Sequence, residues 1–100
     1  MDFKVILSPR SIQDLQEVVR YISLDNPVAA QQFGLSLIDK ARSLGSFPDR
    51  GRLVPELANP EFRELVFRSY RIVYRVRRET KVMEISRFWH AARGSPEISL

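Results

Sequence analysis

The chain has one hundred residues, 44% hydrophobic and 28% charged, with a formal net charge of +4; this is the make-up of one ordinary globular domain able to bury a single core. The absence of cysteine excludes disulfide frameworks and thiolate metal sites, and no apolar run approaches the roughly 20 residues that span a bilayer. One domain over residues 1–100, with no signal peptide, no membrane segment and a cytoplasmic location, is the expectation.

Phe3 to Leu7 reads as a short first strand. Ser8-Pro9 then opens a helix, with Ser8 as N-cap and Pro9 at the first helical position. Ser11 with Asp14 forms a competing capping box one turn later. Ile12, Leu15, Val19 and Ile22, spaced by three and four, mark the helix's apolar face. Asn26, or Asp25, caps a second helix with Pro27 at its start. Ala30, Phe33, Leu37, Ala41 and Leu44 form that helix's stripe, and Ala29 and Ala30 permit a close approach. So short a connection predicts an antiparallel helical hairpin.

Gly45 to Pro60 is broken by Gly45, Pro48, Gly51, Pro55 and Pro60 and reads as a loop with an extended piece near Leu53-Val54-Pro55. Three strands follow: Phe62 to Phe67, Tyr70 to Arg77 after a tight Arg68-Ser69 turn, and Val82 to Trp89 after Arg78 to Lys81. Their spacing predicts antiparallel pairing. The last residues, Arg93 to Glu97, read as a loosely ordered tail. The fold class is therefore α+β: an N-terminal strand, then an antiparallel helical hairpin packed on a mainly antiparallel sheet with a C-terminal three-stranded meander.

The middle meander strand carries the strongest signal. Tyr70, Ile72, Tyr74 and Val76 alternate with Arg71, Val73, Arg75 and Arg77, the period of a strand with two unlike faces. The first set predicts core. With the hairpin covering that side, the arginine set predicts an open cationic face. Charge along the chain agrees: up to Pro60 seven basic residues balance seven acids, and from Glu61 onward nine stand against five. Thirteen of the sixteen cations are arginine, suited to carboxylate or phosphate, so an acidic partner is expected.

A single histidine and no cysteine leave no metal cluster, and no glycine-rich nucleotide cradle or nucleophile elbow is present. No cofactor is expected. If a helical turn follows the last strand, His90 and Arg93 share one side of it. A histidine that moves protons and an arginine that steadies phosphate are the minimal parts for metal-free RNA cleavage. The competing reading has His90 capping a strand end and the arginines paired to Glu64 and Glu84. Trp89 and Phe88 serve as core and edge cover or as stacking surfaces. Arg50-Gly51-Arg52 reads as a turn with glycine at positive φ, or as a phosphate grip.

Several strings occur together: Asp14-Leu15 with Tyr21-Ile22, Asn26-Pro27-x-Ala29-Ala30, Pro48-Asp49-Arg50-Gly51-Arg52-x-Val54-Pro55-Glu56-Leu57, Arg63-Glu64-Leu65, Tyr70-Arg71-Ile72-x-Tyr74-Arg75-Val76 and Arg87-x-x-His90-x-x-Arg93. In this order they resemble the RelE/ParE-superfamily toxins of type II toxin–antitoxin modules, also called plasmid stabilisation proteins. The resemblance implies a growth-inhibiting toxin held in a hetero-oligomer by a ParD-like antitoxin, whose segment folds over the hairpin and sheet. RelE-like members cleave messenger RNA on the ribosome, whereas ParE-like members poison DNA gyrase. In the nuclease branch Arg71, His90 and Arg93 would be catalytic. In either branch Arg63, Arg71, Arg75, Arg77, Arg87, Arg93 and Trp89 would bind the target or the antitoxin. The nuclease lysines fall near Phe62 and Glu64, and no tyrosine follows Tyr74, which favours the ParE-like branch.

Overall fold

Val5 and Leu7 turn apolar side chains inward from β1 (Lys4–Leu7), the edge strand of a five-stranded sheet in a computed structural model that describes residues 2–98. The strand order is β1-β5-β4-β3-β2, with β2 (Arg52–Leu53), β3 (Phe62–Phe67), β4 (Tyr70–Arg77) and β5 (Val82–His90). The last three strands pair antiparallel as a meander, while β1 runs parallel to β5, Lys4 opposite Val82 and Leu7 opposite Ile85. A parallel pair needs a long crossover, and the two helices, lying between β1 and the meander in the chain, are part of it.

Both helices start at the expected caps. In α1 (Pro9–Ser23) the Ser8 side chain accepts from the Ser11 amide at 3.0 Å. In α2 (Pro27–Ser43) Asn26 accepts from the Ala29 amide, also at 3.0 Å. The proline after each cap lacks the N–H that would go unpaired there. Ser11, from the competing capping box, instead turns its hydroxyl back to the Ser8 carbonyl.

The helices cover one sheet face. Val18, Leu37, Ala41 and Leu44 pack on Ile72, Tyr74, Val76, Met83, Ile85 and Phe88, so β4 presents the expected alternate residues to the core. One detail of the hairpin differs from the sequence expectation. Ile12 is exposed, and the buried line of α1 is Ser11, Asp14 and Val18: Ser11 is satisfied by the Ser8 carbonyl and Asp14 by Arg87 and the Phe88 amide at the sheet edge. The helices also approach closely at Gly34, where an added Cβ would lie 2.8 Å from Val19 Cγ2; of the two alanines expected to permit a close approach, Ala30 is buried and Ala29 half-buried. No helix among the described residues is long and apolar enough to cross a membrane.

The second sheet face is not open. Val73 and Phe62 are buried there beneath Val54, with Leu57 and Ile98 packed alongside. The tail expected to be loose is held: Trp89 Nε1 donates to the Gly94 carbonyl at 3.0 Å, and Arg87 Nη1 donates to the Glu97 carbonyl at 2.6 Å.

Candidate functional site

The arginines of the meander are committed to the chain's own acids. Glu64, 1% exposed, accepts Arg71 on one carboxylate oxygen at 2.6 Å and Arg52 on the other at 2.8 Å. Arg71, 7% exposed, also grips Glu56 with both terminal nitrogens, at 2.9 and 2.6 Å. The Arg71 guanidinium holds the Glu56 carboxyl down at about 2, and its own proton is bound more tightly than usual by the same hydrogen bond. Arg75 pairs with Glu61 at 2.6 Å and lies over the Phe62 ring. Arg63 donates to the Gly51 carbonyl at 2.8 Å and approaches Asp49. Arg77 alone of the β4 arginines is exposed and has no ion pair among the described residues. The cationic face expected from the alternating pattern is therefore largely neutralised. A strand's alternation orients side chains but does not reveal which distant acids meet them.

Arg87 is committed too, at the sheet edge. β1 covers only the first half of β5, and α1 begins where β1 ends, with the Ser8 amide donating to the Ile85 carbonyl. Beyond that point Asp14 replaces a neighbouring strand. Its carboxylate accepts the Phe88 amide at 3.1 Å and the Arg87 guanidinium at 2.7 and 2.9 Å. Opposite Val73 and Tyr74 the register skips Ser86. A bulge of this kind re-aims the next side chain, here Arg87. Asp14 and Arg87 are each 3% exposed.

His90 and Arg93 do come together. A 3-10 turn, Ala91–Arg93, follows β5, and His90 caps it by accepting the Ala92 amide on Nδ1 at 3.1 Å. Both border a cleft of about 410 Å³ between α1 and the sheet, lined also by Glu17, Tyr21, Tyr70 and Phe88. Tyr70 meets the His90 ring edge-on, centroids 5.0 Å apart. Burial and the neighbouring Tyr21 raise the Tyr70 hydroxyl above its ordinary pKa, so it stays protonated at neutral pH. The Arg93 guanidinium lies 4.1 Å from the centre of the Trp89 ring.

Arg71 is not part of this cleft. It pairs across the strands with Trp89, one step from the Tyr70–His90 pair, and adjacent strand residues point to opposite faces. Trp89 is buried and serves as cover. Gly51 does not adopt a positive φ; it is glycine because a Cβ would sit 2.5 Å from the Tyr74 hydroxyl and 2.6 Å from the Glu64 carbonyl oxygen. Tyr21, Tyr70 and Glu17 were not singled out from sequence. Tyr70 read as core, and only its place at the rim of the helix-covered face reveals the cleft. Among the described residues no group of acids and histidine could hold a metal ion.

Two helices laid on one face of a five-stranded, mostly antiparallel sheet give a RelE/ParE-like fold, and the comparisons agree. Residues 5–94 match the family model described as the ParE toxin of the type II toxin–antitoxin system, parDE. The chain is 38% identical over 91 residues to Toxin RelE2 of Caulobacter vibrioides, covering 90% of this chain and 97% of the relative. It superposes with TM-score 0.72 and 19% identity on a chain of the chromosomal ParDE system of P. aeruginosa, over 88% of this chain and 95% of that one. The toxin–antitoxin complex RelBE2 of Mycobacterium tuberculosis gives 0.68 and 19%, over 90% and 92%. A mutant of E. coli toxin RelE in the free state gives 0.65 and 18%, over 94% and 88%. The chain belongs to the ParE toxin family of type II toxin–antitoxin systems.

Proposed function

We propose that this toxin inhibits growth by binding DNA gyrase, without chemistry of its own, and that a ParD-like antitoxin neutralises it in the cytoplasm. The observation that carries the reading is the fate of Arg71. Cleaving RNA without a metal needs a cation on the phosphate beside the group that moves the proton. Arg71 is instead locked to Glu56 and Glu64 on the face opposite His90, which leaves Arg93, 4.1 Å from the centre of the Trp89 ring, as the arginine lining the cleft. A surface with its arginines satisfied internally suits a rigid binding module.

The antitoxin reading is supported by the hairpin. Of nine large hydrophobic residues exposed among those described, five lie on or between the helices: Ile12, Tyr21, Leu24, Val28 and Leu35. Tyr21 is 76% exposed and Leu24 79%. So many exposed apolar side chains on one element mark a surface that a partner covers. Tyr21 also lines the cleft, so a segment folded over the hairpin would close both.

A ribosome-dependent messenger RNA endoribonuclease is the second reading, favoured by the cleft in which Tyr70, His90 and Arg93 meet. The experiment is a gyrase cleavage assay with the purified toxin, beside RNA profiling of expressing cells. The gyrase reading expects cleaved DNA to accumulate, messages to stay intact, and His90→Gln to remain toxic. Codon-biased message cleavage abolished by His90→Gln would overturn it and establish the nuclease.

A further inference from the structure

With the meander arginines other than Arg77 neutralised internally, a cluster of unpaired positive charge lies elsewhere, along the seam between α2 and β3. Lys40, Arg50 and Arg68 take part in none of the ion pairs among the described residues. The three form one surface. Lys40 Nζ lies 5.5 Å and Arg68 Cζ 5.2 Å from the centre of the same ring, Phe67. Lys40 and Arg50 line the same shallow hollow of about 360 Å³, with Ser36, Ser43 and Phe67. One acid, Asp39, borders that hollow beside the two cations Lys40 and Arg50, and Arg68 joins them across the Phe67 ring.

Each cation is braced on an aromatic ring. Arg50 lies 4.7 Å from the centre of Phe47, and Arg68 spans Phe33 at 5.6 Å as well as Phe67. A guanidinium or ammonium held against a ring keeps its charge while losing freedom, which lowers the entropy lost when a ligand docks. Arg68 stands in the two-residue turn between β3 and β4 with φ at +55°, a left-handed conformation that glycine or asparagine adopts most cheaply, and Lys81 in the turn before β5 shares it at +56°.

We infer that the seam of Lys40, Arg50 and Arg68 is a docking surface for the phosphate backbone of duplex DNA. The hollow is shallow, suited to a backbone passing over it. The chemistry is that of positioning contacts, since charged groups that grip phosphate carry no base readout. Single-stranded nucleic acid is recognised by stacking bases on free aromatic faces, and here Phe33, Phe47 and Phe67 carry cations. The hollow shares no lining residue with the His90 cleft, although Phe33 beneath Arg68 packs on the cleft's Tyr70; the inference rests on these cations and not on the gyrase reading.

The test is fluorescence anisotropy of a labelled 20-base-pair duplex titrated with the toxin from 50 to 200 mM salt. Three phosphate contacts predict a log–log salt slope of about −2.7, equivalent to about 40-fold weaker binding across that range. Lys40→Gln, Arg50→Gln and Arg68→Gly should each reduce the slope by about 1 and weaken binding about tenfold at 50 mM. Arg42→Gln, an exposed α2 cation outside the hollow, should change neither the slope nor the affinity beyond twofold. Arg68→Gly relaxes the turn, so it should melt no lower than the parent while binding less, separating folding from docking. No binding at 50 mM, a slope untouched by all three variants, or tighter binding of polyglutamate or single-stranded RNA than of the duplex would each overturn the assignment.

Discussion

Replacing Asp14 by alanine tests a buried ion pair at the β5 edge. The change removes both carboxylate oxygens from Arg87 (2.7 and 2.9 Å) and the acceptor of the Phe88 amide (3.1 Å) in one step. Arg87, 3% exposed, would keep one hydrogen bond, to the Glu97 carbonyl at 2.6 Å, and its place over the Trp89 ring. Stranding one partner of a buried ion pair costs about 3–5 kcal/mol, a large share of the ~5–15 kcal/mol that holds a small domain together. For a chain of this size that loss lowers Tm by on the order of 15–30 °C. The double variant Asp14→Asn/Arg87→Met keeps an acceptor for the Phe88 amide and leaves no bare charge, so it should recover at least about 2 kcal/mol of the loss. Urea and thermal unfolding followed by circular dichroism read both quantities. A single variant within about 1 kcal/mol of the parent, or a double variant no better than the single, would refute the claim that this pair replaces a strand at the β5 edge.

Gly51→Ala should lose about 1–3 kcal/mol, because the new methyl meets the Glu64 backbone as well as the Tyr74 hydroxyl in a site that cannot widen; a urea midpoint equal to the parent's would contradict the crowding. Glu56 carries a carboxyl lowered from 4.5 to about 2 by Arg71. A depressed folded-state pKa means the unfolded chain binds the proton first, so stability is full above pH 4.5 and drains as pH falls toward 2. Urea midpoints between pH 5 and 2 should fall less steeply for Glu56→Gln than for the parent, and parallel curves would remove Glu56 from the account. Leu37→Asp places an unpaired charge at a fully buried position of α2 and should abolish the cooperative transition; soluble, cooperatively melting protein would overturn the placement of that helix face.

What the sequence determined by itself was local. Cap residues such as Ser8 and Asn26, the prolines behind them, and the two-residue alternation from Phe62 onward act within a few positions. The helix starts and the three meander strands were therefore legible from neighbouring residues. The helix-side residues of β4 were legible for the same reason, since alternation requires nothing from the rest of the chain.

Only the tertiary structure decided what lies on the other face. Arg71 finds Glu56 and Glu64, Arg75 finds Glu61, and Arg87 finds Asp14 seventy-three residues away. None of those partners is implied by periodicity. The competing sequence reading names Glu64, which lies on the neighbouring hairpin strand β3; Asp14 reaches Arg87 only because β1 pairs parallel with β5 and the register skips Ser86, a long-range event. Charge at a position is written in the sequence, but whether it stays free depends on the three-dimensional arrangement. In this toxin that arrangement neutralises most of the sheet's arginines and leaves Lys40, Arg50 and Arg68 without an ion pair among the described residues, Arg50 and Arg68 exposed and Lys40 half-buried.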